Sequence, residues 1–422
     1  MAVLVLVLAR TVPLYVPMRV LTFGWDYPPM KNGGLGVACH GLTEELLELG
    51  LDIVFVLPRE QPIIGNHRFI FADKAPKTIH IFKSGLLPYQ HAQSFLEYFT
   101  ADGKRVQFSR RIIDEVYRYA DAAYGIALRE QFDLIHAHDW TSYLAGVAAK
   151  LATGKPLVLH VHATSFDQAG SNNVDPQIYE IEKRAFHTAD SVVAISNFTK
   201  DIVVSKYGVD SEKVTVVHNG IKPYAPPALP PVLQELKMQG KKIVFYNGRI
   251  TIQKGVDHFI RAARKVIDTN PNVVFVISGW GDMEHQVMHL VGSLGLSQNV
   301  IFAGALWDED RDRMYQAADL LVMPSVSEPF GLVPLEAIQH GTPVLISKQS
   351  GVAEVLTHAL KVDFWDIDEM ANKILAALRY GVMNRQLVEE GRRELLRLTW
   401  RKAADKVYTL YKKLLGWIHR GG

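Results

Sequence analysis

The sequence predicts an α/β protein of two tandem, doubly wound domains that face each other across a cleft. Three observations predict it. Two successive series of short Val/Ile/Leu runs lack polar alternation, amphipathic stretches separate the runs, and a proline-dense segment divides the 422-residue chain almost in half. Runs that are apolar throughout indicate strands buried on both faces, as in parallel sheets covered by helices. Alternation with helical stretches is the pattern of doubly wound folds. At roughly 150 residues per domain the length allows two or three domains. A composition of 48% hydrophobic and 21% charged residues is that of an ordinary globular protein. The formal charge of +2 gives no electrostatic footprint for a polyanion, so a nucleic-acid partner is not expected. The single cysteine, Cys39, excludes an intramolecular disulfide, argues against a cysteine-based metal site and suits a reducing, cytoplasmic compartment.

The apolar run Val3–Leu8 has no preceding positive charge and is interrupted by Arg10. It is also far short of the roughly 20 residues that span a bilayer. Residues 1–17 are therefore read as an artefactual or disordered extension, with a weak membrane anchor as the alternative, and no transmembrane segment is expected. A second methionine, Met18, opens Arg19–Phe23, a first buried strand that enters a glycine-rich loop. The first series continues with Leu51–Leu57, Leu134–Ala137, Leu157–Val161, Val192–Ile195 and Val214–Val217. Five prolines between Pro223 and Pro231 can continue neither a helix nor a central strand, which makes this segment a hinge. The second series is Ile243–Tyr246, Val273–Ile277, Val300–Ala303, Leu320–Met323 and Val344–Ile346. Finally Ala403, Val407, Leu410, Tyr411 and Leu414 recur at helical spacing within Lys402–Ile418, so that helix should pack one face. The expected division is an N-terminal domain over 18–222, a C-terminal domain over 223–400 and a last helix over 401–422.

Four groups of residues carry chemistry. In Lys31-Asn32-Gly33-Gly34-Leu35-Gly36, adjacent glycines before a helix let backbone N–H groups approach an anion at the positive end of the helix dipole. This is neither a dinucleotide fingerprint, since Cys39 takes the third glycine's place, nor a Walker A loop. After the strand Ile243–Tyr246, Arg249 offers a planar fork and Lys254 a point charge, in one loop that opens a helix and suits a diphosphate. After Leu320–Met323 comes Ser327-Glu328-Pro329-Phe330-Gly331-Leu332-Val333-Pro334-Leu335-Glu336, with seven residues between two glutamates. Glu328 is expected in the loop and Glu336 on the following helix, both toward the cleft, as acceptors for paired sugar hydroxyls. The N–H groups near Gly331 and Leu332 suit phosphate oxygens.

The fourth group ends two strands: His136-Ala137-His138-Asp139-Trp140 and His160-Val161-His162-Ala163-Thr164. Histidines at i and i+2 of a strand share a face, which permits metal ligation and makes a metal-dependent hydrolase the rival reading. No further carboxylate–histidine cluster and no H-E-x-x-H motif completes such a site, and the same rings serve as hydrogen-bond donors to sugar hydroxyls.

Together these motifs resemble the retaining nucleotide-sugar glycosyltransferases of family 4, related to the glycogen and starch synthases of family 5. Lys31-x-Gly33-Gly34-Leu35 is similar to the K-x-G-G-L loop of glycogen synthases, Glu328 and Glu336 to the E-x7-E motif, and Arg249 with Lys254 to the basic pair ahead of it. His138-Asp139-Trp140 resembles their H-D-W, and Thr399-Trp400 the S/T-W before the last helix. Asn32 departs from the Val or Thr usual in that loop, and the segment His160–Asp167 reads more like family 4.

The resemblance implies a GT-B fold of two Rossmann-like domains, with a last helix crossing back to the first. It implies a hexosyltransferase that moves glucose from ADP- or UDP-glucose to an α-glucan, with a small-sugar or lipid acceptor as the alternative. Arg249 and Lys254 would hold the diphosphate, Glu336 the ribose hydroxyls and Glu328 the transferred sugar. Phe330, Gly331 and Leu332 would complete the donor site, while Lys31, Gly33 and Gly34 would close on the diphosphate. His162 would lie beside the sugar, with His138 and Asp139 on the acceptor side. Val300–Gly304 would line the base pocket. No cofactor and no essential metal are expected.

Overall fold

The computed structural model describes residues 17–29, 34–65, 67–74, 112–222, 228–229 and 231–417, apart from the side chains at 232, 236 and 237, together with the backbone of two further strands at 96–99 and 105–108. The expected extension thus lies outside the described residues except for Pro17, as does most of the proline-dense hinge.

Fifteen strands form three sheets among the described residues. The first sheet contains β1 (Arg19–Phe23), β2 (Asp52–Leu57), β3 (Arg68–Phe71), β6 (Leu134–His138), β7 (Leu157–Val161), β8 (Ser191–Ala194) and β9 (Val214–Val216). The strands β4 (Leu96–Phe99) and β5 (Arg105–Phe108) pair with each other as an antiparallel ribbon. The second large sheet contains β10 (Lys242–Asn247), β11 (Val273–Ser278), β12 (Val300–Gly304), β13 (Leu320–Met323), β14 (Val344–Ser347) and β15 (Leu360–Val362).

Both large sheets are parallel throughout. Their orders are β3-β2-β1-β6-β7-β8-β9 and β12-β11-β10-β13-β14-β15. Each therefore starts in the middle, winds outward, and returns to wind the other way. The reversal creates a crevice at the carboxyl ends of β1 and β6 in one sheet, and of β10 and β13 in the other. Four described strands fall outside the two apolar series expected from the sequence. β3 is an edge strand that opens on Arg68, β4 is interrupted by Glu97, β5 alternates polar and apolar as Arg105-Val106-Gln107-Phe108, and β15 carries Lys361 at its centre. None makes a continuous apolar run.

The sheets bury both faces. Ile135, Ala137, Leu159 and Val161 face one core of the first sheet, and Leu134, Val158 and Val193 face another. The last helix, Trp400–Leu414, belongs to that second core. Thr399 caps it, and Trp400, Ala403, Ala404, Val407 and Tyr411 pack with Met18, Val20, Ala38 and Leu42 from the chain's first strand and first helix, Gly34–Glu48. Full burial of such aromatic and branched side chains contributes about 1.5–3 kcal/mol each. The helix begins at Trp400 rather than Lys402, because the Thr399 hydroxyl supplies its cap, and ends at Leu414 just before Gly416 in the left-handed region. Gly41 sits where the first and last helices meet, and a Cβ there would lie 2.4 Å from the Trp400 ring. No helix among the described residues is long and apolar enough to cross a membrane.

Candidate active site

The reversal point of the second sheet gathers the basic and acidic motifs. The strand β10 ends at Asn247, and a 3-10 turn, Ile252–Lys254, leads to Gly255 at φ 64°. A Cβ on Gly255 would lie 2.2 Å from the Pro324 carbonyl oxygen, so only glycine lets this loop close on the exit of β13. That close approach brings Lys254 Nζ within 2.6 Å of Glu328 Oε2, which also accepts from Ser325 Oγ at 3.1 Å. The loop of Glu328 is fixed on both sides: its N–H donates to the Gln349 carbonyl, and its own carbonyl accepts from Gly351 N–H. Arg249 donates to Gln253 Oε1 at 3.2 Å.

Glu336 lies one turn into the helix Val333–Gln339. Its Oε2 accepts from Tyr315 Oη at 2.7 Å, Tyr315 Oη accepts from Asn247 Nδ2, and Arg311 stands 3.7 Å from Oε1. Glu336 and Arg311 line a cavity of about 310 Å³ that the first half closes with His40, Gly41 and Lys222. The two glutamates of the motif therefore hold separate stations. Phe330 is buried in the apolar core and rests on the His218 ring, so what it offers the cleft is main chain. Gly331, at φ 102°, and Leu332 lead into the Glu336 helix. Val300–Gly304 forms the edge strand β12. Gly34 opens the first helix and is exposed, while Lys31 and Gly33 lie outside the described residues.

The reversal point of the first sheet carries the histidines. Asp139 follows β6 with φ 62°, a region strained for any residue with a Cβ. Its carboxylate fixes that conformation by accepting from the N–H groups of His162 at 2.7 Å and Ala163 at 3.1 Å, while its own N–H donates to the His160 carbonyl. Burial pushes the Asp139 carboxyl up to about 7, against the pull of those two N–H groups. Nδ1 of His138 lies 3.0 Å from Nε2 of His162. Burial lowers all four histidines of this face, His136 and His162 to about 3, so each ring is neutral at pH 7. A neutral ring at His162 donates one hydrogen bond without bringing charge to a sugar.

The two faces touch beside the motifs. Ser327, next to Glu328, donates from Oγ to Asp167 Oδ1 at 2.6 Å, and Ser196 Oγ donates to the Pro329 carbonyl. The segments that follow β7 and β8 and the Glu328 loop are thus adjacent. Asp167, Tyr315, Asn247, Gln253 and Ser325 take part in this arrangement without having been singled out in the sequence. Asp167 alone had a local signal, since Thr164 and Asp167 form a capping box. The single cysteine rules against a cysteine-based metal site, and the lack of a further carboxylate–histidine cluster or H-E-x-x-H motif in sequence speaks against a metal on the histidine face. The fold nevertheless completes two groups of three, Cys39 with His138 and His162, and His136 with His138 and His160.

Comparison with known proteins agrees with this fold. Residues 32–223 match the family model for Glycosyltransferase Family 4, and residues 233–394 that for glycosyl transferases group 1. An uncharacterized glycosyltransferase of Methanocaldococcus jannaschii is 26% identical over 94% of this chain and 98% of its own length. The alpha-maltose-1-phosphate synthase of Mycolicibacterium smegmatis is 30% identical over 68% of this chain and 80% of its own. Among solved structures, sucrose-phosphate synthase from Thermosynechococcus elongatus superposes with a TM-score of 0.73 at 20% identity, over 95% of this chain and all of that one. Anabaena HepE, solved with UDP and glucose, gives 0.68 at 18% identity, over 94% of this chain and all of that one. These likenesses identify the fold as GT-B.

Proposed function

From the premise that this chain belongs to the GT-B glycosyltransferases, with a family 4 domain followed by a group 1 domain, we propose that it transfers glucose with retention from ADP- or UDP-glucose to an α-glucan. The observation that carries this reading is the contact between Lys254 and Glu328 at the reversal point of the second sheet, with Glu336 of the same motif lining a cavity that both halves form.

Departure of a nucleoside diphosphate leaves developing negative charge. Lys254 and Arg249 supply fixed cations for it, joined by the amides at Gly331 and Leu332 and, on closure, by Lys31, Gly33 and Gly34. Before donor binds, Glu328 neutralises Lys254 in a mostly buried ion pair. A sugar whose hydroxyls donate to Glu328 weakens that pair and frees the ammonium for phosphate oxygens. Glu336, preset by Tyr315, accepts from the ribose diol. On the opposite face His162 donates to the sugar, and His138 with Asp139 shapes the acceptor side. These cations do the work a metal does elsewhere, so transfer needs none at the diphosphate. Closure of the halves excludes water and suppresses donor hydrolysis.

The likeness of the Lys31-x-Gly33-Gly34 and His138-Asp139-Trp140 segments to glycogen synthases supports the glucan acceptor. The test is nucleoside diphosphate release from ADP-, UDP- and GDP-glucose with maltooligosaccharides, in the presence of a chelator added at the start of the assay. Acceptor-dependent release is expected. Absence of release from all three donors, or release only with small-sugar or lipid acceptors, contradicts the reading.

A further inference from the structure

The histidines behind the cleft outnumber what sugar recognition needs. His136 and His138 lie on β6, His160 on β7, and all three rings point to the sheet face covered by the first and last helices. Their centroids are 4.3, 5.4 and 5.1 Å apart, and all three residues are buried. Among the described residues His160 has no hydrogen-bond partner on either ring nitrogen, and His136 has none on Nε2. Buried polar nitrogens left in this state are rare without an ion or a water to satisfy them. A ligand atom from each of the three rings falls within 4.8 Å of the other two.

We propose that His136, His138 and His160 bind one imidazole-preferring transition-metal ion of the zinc class, seated between the first sheet and the last helix. At metal–nitrogen distances of about 2.0–2.1 Å, a tetrahedral ion holds its ligand nitrogens roughly 3.3 Å apart, so nitrogens that lie within 4.8 Å of one another draw together on binding. Outer partners are in place for two of the three rings. Tyr411 Oη lies 2.5 Å from His136 Nδ1, which leaves Nε2 for the metal, and His162 Nε2 lies 3.0 Å from His138 Nδ1. Metal-bound histidines in general engage the second ring nitrogen in this way, which fixes tautomer and ring orientation. The ion sits on the first sheet, apart from Lys254 and Arg249, and has no part in departure of the diphosphate. Its consequence for the cleft is that metal on His138 Nε2 makes Nδ1–H the donor to His162, which rests on the sugar-contact reading above. The site itself does not.

The experiment loads the full chain, stripped with chelator, by dialysis against zinc sulfate or cobalt chloride. It measures metal content by mass spectrometry, the Co2+ absorption spectrum and the melting temperature. One equivalent of zinc retained after desalting, a melting temperature raised by zinc, and a cobalt spectrum of low coordination number without a thiolate charge-transfer band are expected. His160→Gln should abolish retention. Tyr411→Phe, which keeps the ring in place, should weaken affinity 10–100-fold. Failure of the wild-type chain to retain metal overturns the proposal and leaves bound water as the partner of these rings. A thiolate band that disappears in Cys39→Ser also overturns it, by placing the ion among Cys39, His138 and His162. Neither result bears on transferase activity, which is read separately by diphosphate release.

Discussion

Lys254 Nζ lies 2.6 Å from Glu328 Oε2, and the two residues come from loops that follow neighbouring strands at the point where the second sheet reverses. The pair stores the two charges that the proposed reaction separates, one for the leaving group and one for the sugar. Lys254→Ala should lower turnover roughly 100-fold or more, as for loss of a transition-state contact, with a smaller change in KM for the donor. Glu328→Ala should do the same. Steady-state kinetics on the two variants checks this, and near-normal turnover in both refutes the assignment.

Glu336 holds its position through Tyr315 and faces the cavity between the halves. A ribose diol is bound alike in ground and transition states, so its loss is felt in binding. Glu336→Gln should raise KM for the nucleotide sugar about tenfold with turnover little changed. A fall in turnover at constant KM would instead make Glu336 part of the chemistry.

Candidate motifs are legible in sequence where one stretch of chain holds all their residues. Arg249, Lys254 and Glu328 stand in two loops whose glycines and strand context announce them as candidates, and Glu336 stands on the helix that follows. Phe330 was read with the same motif, yet its side chain completes an apolar core that only the folded sheet defines. Tyr315, Asn247 and Asp167 come from three separate elements, and no local spacing relates them to the glutamates or to Ser327. The helix boundary at Trp400 depends on the Thr399 cap, and the grouping of three histidines depends on the register that sets His138 beside His160. Pairing between strands is a long-range fact, invisible to a count of i and i+2.

The last helix is fastened to the first by the absence of a side chain at Gly41. Gly41→Ala places a methyl 2.4 Å from the Trp400 ring and should cost about 1–3 kcal/mol of stability, the usual penalty of overpacking. Denaturant unfolding reads it. A variant as stable as the parent would show that this helix contact yields without strain.

Glu182 is buried in the first half of the chain, where its carboxyl accepts from Ser165 N–H and Oγ and from Tyr207 Oη. Burial pushes it from 4.5 up to about 8, against the pull of those donors. An acid raised in the folded state holds protons the unfolded chain has released. Its contribution is therefore complete below 4.5 and is lost as pH climbs to about 8. Melting temperatures between pH 5 and 9 should fall less steeply for Glu182→Gln than for the parent. Parallel profiles would show that Glu182 is ionised in the folded protein.

The central claim is transfer of glucose from a nucleoside diphosphate with its anomeric configuration kept, at the cleft between the two reversal points. Proton NMR of the first product formed from ADP- or UDP-glucose and a maltooligosaccharide tests it most directly. An α-linked glucose, formed by the parent chain and lost in Lys254→Ala, is the predicted result. A β-linked product, or an α-linked product formed equally by Lys254→Ala, contradicts it.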